Sequence, residues 1–185
     1  MTSEQLKTWR KAERERLIAA RTALVAQTLE RYRQQIDSHL GRSFPGLASA
    51  KLAFCWPIKA EYDARHLAKT LRERGALTAL PVVVAPRQPL EFREWHPGVE
   101  LAMGPLDIPY PAHSPVVVPD AVLLPMNGWD RAAMASVICN AANDCGVASG
   151  VKTSAMPKLS AVAVSRCLVE ELLVQQRHGA ALLAV

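Results

Sequence analysis

Hydrophobic and polar positions first suggest a long helical segment. Residues 3–40 contain neither Gly nor Pro, and Thr2 and Gln5 have the spacing of a capping box. Trp9, Leu17, Leu24, Val25 and Leu29 recur at loose helical intervals, with a break expected near Thr28. Residues 44–48 (FPGLA) read as a connector. Residues 51–57 (KLAFCWP) form a short apolar run closed by Pro, which predicts a buried strand. Asp63 is placed to cap a helix running to Arg74, with Leu67 and Leu71 inward and Gly75 as the stop.

Residues 80–85 (LPVVVA) predict a second buried strand. Residues 90–95 (LEFREW) alternate apolar and polar, as a half-exposed strand does. Residues 96–115 are rich in Pro and Gly and read as a long loop, and residues 116–125 (VVVPDAVLLP) as another buried strand. Strand, helix, strand, loop, strand is an α/β pattern with a largely parallel sheet. Such sheets hold ligands at the carboxyl ends of their strands. Those ends are residues 56–61, 86–88 and 127–130, so a site is expected near Trp56, Glu61 and Asp130.

The last 55 residues break the pattern. All three Tyr, four Trp and three Phe precede residue 130, whereas three of the four Cys follow it. Residues 159–176 (LSAVAVSRCLVEELLVQQ) fit an amphipathic helix ended by Gly179, and residues 131–158 have no clear period. No strand that would complete the sheet is evident after residue 130, so the C-terminal third is expected to be poorly packed or helical.

With 185 residues, half of them hydrophobic, the chain is long enough for one domain with a real core and is not a disordered polymer. No apolar run approaches a membrane span, and the charged start lacks the apolar stretch of a secretory signal. Cys55, Cys139, Cys145 and Cys167 form no CxxC pair and are expected as free thiols of a cytoplasmic protein. The charge is concentrated early: residues 1–50 hold nine Lys or Arg and five Asp or Glu, against a net of +5 for the whole chain. A basic helix can meet phosphate, but a solvated face is the commoner outcome. A nucleic-acid module is disfavoured by the lack of an aromatic stacking platform.

Arg10 and Arg14 lie one turn apart, beside Lys11, and two guanidinium groups at that spacing could clamp a polyphosphate. Glu61, between a buried strand and a helix start, could accept ligand N–H groups or be a charge favoured by the helix dipole. Trp56 could stack on a flat heterocycle or belong to the core. Asp130 could hold a metal or cap a helix. The five His have no metal-ligand spacing. Neither GxGxxG nor GxxxxGK[ST] occurs, and no nucleophile elbow is present.

Five segments in order, RKAERERLIAAR, AFCWPIKAEYDARHL, LPVVV, LEFREWHPGVELAMGPLDIPYP and VVPDAVLLPMNGWD, resemble the 5-formyltetrahydrofolate cyclo-ligase family, also called methenyltetrahydrofolate synthetase. The resemblance spans about residues 7–130 of a single domain over residues 1–185, leaving 131–185 diverged or aberrant. It implies a three-layer α/β/α sandwich with a mostly parallel sheet. It also implies conversion of 5-formyltetrahydrofolate to 5,10-methenyltetrahydrofolate with ATP and Mg²⁺, by a monomer without nucleic-acid or membrane partners. Arg10-x3-Arg14 matches the family's Lys-x3-Arg ATP-binding pattern with Arg in place of Lys, and Lys11 lies between them. Trp56 and Glu61 match the folate-pocket positions, where the Glu grips pterin N–H groups.

Residues 125–133 (PMNGWDRAA) correspond to the family's PxxxFDxxG, with Trp129 for Phe and Ala133 for Gly. The family then continues with a glycine-rich phosphate loop, where this chain reads MASVICNAAND, without glycine, arginine or tyrosine. An ungapped alignment puts Asp144 on that loop's metal-associated Asp. Two explanations stand: a diverged paralogue that binds a reduced folate without turnover, or a segment after Trp129 read in a shifted frame.

Overall fold

The computed structural model describes residues 2–85, 88–125, 127 and 160–164. Helix α1 (Ser3–Thr22) begins at the expected capping box: the Thr2 side chain accepts from the Gln5 amide, and the Gln5 side chain accepts from the Thr2 amide. The chain breaks at residues 23–25, slightly before the expected point, and resumes as α2 (Ala26–Ser43). No residue of α1 is buried, and Trp9 and Val25 are exposed, so the loose apolar period there does not mark a core face. Helix α2 does reach the core, through Ile36, His39 and Leu40.

A 3-10 turn (Pro45–Ser49) leads into β1 (Lys51–Phe54), the expected first strand. Helix α3 (Arg65–Glu73) follows; its cap is Ala64, not Asp63, although the Asp63 carboxylate accepts from the Arg65 amide at 3.1 Å. Leu67, Ala68 and Leu71 make its buried stripe, and burying each Leu contributes about 1.5–3 kcal/mol. Gly75, at φ 105°, ends the segment in a conformation that favours glycine.

Strand β2 (Leu77–Val82) begins three residues earlier than the apolar run suggested. Polar Thr78 fits inside the sheet because its hydroxyl donates to the Trp95 carbonyl at 2.6 Å. Strand β3 (Glu91–Glu94) is the expected half-exposed strand and pairs antiparallel with β2. The Pro- and Gly-rich stretch is not wholly irregular: β4 (Ala102–Met103) and β5 (Pro109–Tyr110) form a small hairpin around a 3-10 turn. Strand β6 (Ala121–Pro125) takes the second half of the apolar run ending at Pro125.

The expectation that no strand follows residue 130 is wrong. Strand β7 (Ser160–Val164) pairs parallel with β6 along its whole length. The helix expected from residue 159 is therefore displaced at its start by a strand; SAVAV offers two β-branched residues in alternation, and an available sheet edge decides between the two forms. Residues 131–158 and 165–185 lie outside the described residues, as do Trp129 and Asp130.

The main sheet runs β3-β2-β1-β6-β7, parallel except for β3. This is an α/β fold with a mostly parallel sheet. On one face, Leu52, Phe54, Leu80 and Leu123 pack with α2 and α3 and with Trp95, whose ring meets Phe54 edge-on at 5.2 Å between centroids. The other face buries the smaller Ala53, Ala79, Val117 and Val122. Among the described residues no helix is long and apolar enough to cross a membrane.

Candidate functional site at the strand ends

The sheet topology selects a location. From β1 the chain moves through α3 to β2 on one side, whereas β7 lies beyond β6 on the other. The carboxyl ends of β1 and β6 therefore flank a point where the strand order reverses, the place where open parallel sheets leave a crevice. Residues 55–61 leave β1 at this point, and Asn127 lies just past β6.

The turn after β1 is held in an uncommon conformation. Lys59 and Ala60 both occupy the left-handed region, at φ 47° and 59°. Each such residue costs about 1–2 kcal/mol, so the turn requires support from elsewhere. One support is local: the Glu61 amide donates to the Ile58 carbonyl at 3.0 Å, and the Ile58 amide donates to Glu61 Oε2 at 3.2 Å.

The other support is Arg21, from the last turn of α1. Its Nε donates to the Lys59 carbonyl at 2.9 Å and its Nη1 to Asn127 Oδ1 at 3.0 Å. Its Nη2 reaches Glu61 Oε1 at 3.5 Å, a longer and weaker contact. The two side chains are 14% and 6% exposed, so water screens this pair little. Burial raises the Glu61 carboxyl above its ordinary range; the Ile58 amide and the charges of Arg21 and Lys59 pull it back. Burial likewise lowers Arg21, opposed by Glu61. Glu61 is thus a shielded carboxylate with acceptor capacity left after these contacts.

Trp56 lies on the same connection, partly buried against the core. The Arg65 guanidinium sits 4.6 Å from its ring centroid, itself gripped by both oxygens of Asp63 at 2.8 and 2.6 Å. One Trp56 face is thereby covered, so a stacked heterocycle would have only the other face to use.

The expected phosphate residues lie further along α1. Arg14 and Arg10 precede Arg21 by seven and eleven residues, or about 10 and 16 Å along the axis, and within about 20° of its direction. The three arginines thus share a stripe leading to the crevice, whereas Lys11 is turned about 80° away. Arg10 and Lys11 are exposed; Arg14 is half-buried, and its Nε is buried without a hydrogen-bond partner among the described residues.

Arg21 is the residue the sequence reading missed. Its position seven beyond Arg14, on the face of the Arg10 and Arg14 pair, was the available signal. Asp144, the expected metal-associated residue, lies outside the described residues. Among the described residues, no group of three or more His, Cys, Asp or Glu could hold a metal ion.

Neither a family model nor a curated protein matches this sequence. Solved structures do. The 5,10-methenyltetrahydrofolate synthetase of Mycoplasma pneumoniae aligns over 62% of each chain at 16% identity, with a TM-score of 0.46. The NMR structure of Aquifex aeolicus 5,10-methenyltetrahydrofolate synthetase aligns over 84% of this chain and 77% of its own, with 20% identity and a TM-score of 0.68. The chain therefore has the fold of a 5,10-methenyltetrahydrofolate synthetase, the fold that the five ordered segments implied.

Proposed function

We propose that this chain acts on a reduced folate as an ATP-dependent 5-formyltetrahydrofolate cyclo-ligase. The observation that carries the reading is the Glu61 carboxylate, shielded from water at the strand-order reversal and on the same connection as Trp56. Its remaining lone pairs would accept pterin N–H groups, and Trp56 would line the pocket. Binding at such a carboxylate is selective because a ligand without matching donors leaves it buried and underpaired.

In the proposed reaction the N5-formyl oxygen attacks the γ-phosphorus of ATP, the bond to the β-phosphate oxygen breaks, and ADP leaves. N10 then attacks the activated formyl carbon. The C–O bond breaks, phosphate departs, and N10 releases its proton as the methenyl ring closes. The protein's share is mostly positioning and charge neutralisation. Arg10 and Arg14 would meet the phosphates from one stripe of α1, and the Nε of Arg14, unpartnered among the described residues, supports this role. Lys11 would add charge without sharing that stripe. Magnesium would arrive with the nucleotide, since among the described residues no group of three or more His, Cys, Asp or Glu could hold a metal ion.

A second reading is favoured by residues 134–144, which lack the glycines of a phosphate-wrapping loop. It keeps reduced-folate binding and drops turnover. Purified protein mixed with 5-formyltetrahydrofolate, Mg²⁺ and ATP, followed at the near-ultraviolet band of the methenyl product with an ATP-free control, separates the two. ATP-dependent product supports the enzyme. Folate binding without product supports the second reading, and the absence of both removes the folate assignment. Glu61→Gln is expected to weaken 5-formyltetrahydrofolate binding by about tenfold or more, the scale of one hydrogen bond to a charged group.

A further inference from the structure

The Arg21 guanidinium spans the gap between two strand ends, and its three contacts are unequal. The bonds to the Lys59 carbonyl and to Asn127 Oδ1 are of ordinary length, at 2.9 and 3.0 Å, whereas the Glu61 contact is stretched to 3.5 Å. The side chain is therefore anchored by two bonds that a ligand at Glu61 need not disturb. Glu61 Oε1 is held only loosely, so incoming N–H donors can take it without first breaking a strong pair. Arg21 also buttresses a turn whose two central residues, Lys59 and Ala60, are both left-handed without being glycine.

We propose that Arg21 is the positioning residue of this site: it ties the turn after β1 to Asn127 beyond β6 and presents Glu61, with one oxygen free to exchange, to the ligand. The ligand's identity rests on the folate reading above; the device itself does not. A fork of N–H donors suits the task because one planar group meets a carbonyl, an amide oxygen and a carboxylate together, which a lysine cannot do. Arg21 itself need not touch the ligand.

Among the described residues, the charged groups acting on Glu61 are Arg21 from α1 and Lys59 from the turn. Removing the Arg21 charge leaves burial less opposed, so Glu61 should take up a proton at higher pH. A neutral carboxyl is a poorer acceptor for ligand N–H groups, so binding should then fail earlier as pH falls.

The test uses the full chain and the variants Arg21→Gln and Arg21→Lys, with two readouts. The first is equilibrium binding of 5-formyltetrahydrofolate across pH. Arg21→Gln is expected to bind about tenfold or more weakly and to show its acid-side loss at higher pH. Arg21→Lys should keep the pH midpoint near that of the parent while recovering only part of the affinity. The second readout needs no ligand: carboxyl carbon NMR of Glu61 titrated in each protein, with the Lys59 and Ala60 amides as reporters of the turn. Arg21→Gln should raise the Glu61 midpoint and shift both amides. If Arg21→Gln does not fold, Arg21→Lys carries the amide comparison. An unchanged Glu61 midpoint and unchanged amides in Arg21→Gln overturn the proposal. If the parent fails to bind 5-formyltetrahydrofolate while the ligand-free titration behaves as expected, the folate reading falls and the positioning role stands.

Discussion

Tyr62, directly after Glu61, joins the site's connection to α2. Its hydroxyl donates to Asp37 Oδ1, and the other Asp37 oxygen accepts from Arg33 Nη1. Arg33 also grips Glu30 through two bonds, at 2.8 and 2.5 Å. Tyr62→Phe removes one hydrogen bond to a charged group and little volume. Such bonds contribute about 1.5–3 kcal/mol, and Asp37 keeps Arg33 afterwards, so a loss of about 2 kcal/mol is expected. In a domain of this size that lowers the melting temperature by about 4–8 °C.

Asp37→Asn and the double variant complete a cycle, with a coupling of about 1–2 kcal/mol expected for the Tyr62 and Asp37 pair. Denaturant unfolding supplies the free energies, and an unchanged slope would show that the unfolded state has not altered. A Tyr62→Phe protein as stable as the parent, with no coupling in the cycle, would refute the reasoning. The hydroxyl would then be idle, and the junction of α2 with the site would rest on packing alone. Burial, with Asp37 beside it, raises the Tyr62 hydroxyl, so tyrosine keeps its own proton at neutral pH; burial also raises the Asp37 carboxyl, opposed by the Tyr62 hydrogen bond and Arg33.

Two further outcomes are expected. Gly75→Ala should destabilise by about 1 kcal/mol or more: at φ 105° alanine is strained, while its added carbon meets nothing within 4 Å, so a loss in thermal unfolding is purely conformational. His39 is buried, and burial with the neighbouring Arg42 lowers its proton affinity below the ordinary 6.5. The unfolded chain then binds that proton more readily, so the stability His39 contributes is complete above pH 6.5 and is lost as pH falls through 6.5 toward the folded value. His39→Gln should flatten that slope in melting temperatures measured from pH 7.5 to 5; an unaltered slope would assign the acid sensitivity to other groups.

Local chemistry carried much of the fold. The Thr2 and Gln5 box and the stop at Gly75 follow from neighbours a few residues apart and stand where the sequence reading put them, and the strand expected over residues 51–57 starts at Lys51 but ends at Phe54. The errors occur where distant partners decide. The second strand, expected over residues 80–85, starts at Leu77 because Trp95, 17 residues beyond polar Thr78, accepts its hydroxyl. Ser160–Val164 looks helical until β6 offers an edge. LEFREW alternates correctly, but nothing in an alternation says which way the strand runs.

The site divides along the same line. Glu61 and Trp56 were legible because an α/β pattern alone sends attention to the ends of buried strands. Arg21 was not, because its bonds go to Lys59, Glu61 and Asn127, which are 38, 40 and 106 residues away. The helical register of Arg10, Arg14 and Arg21 could have identified a stripe, but not its destination. That destination depends on how α1, which adds no residue to the buried core, is docked on the strand ends. Arg21 supplies several of the bonds that dock it. The residue missed in the sequence is thus also one that helps bring the basic stripe to the site, and losing it should disturb the proposed phosphate and folate positions together.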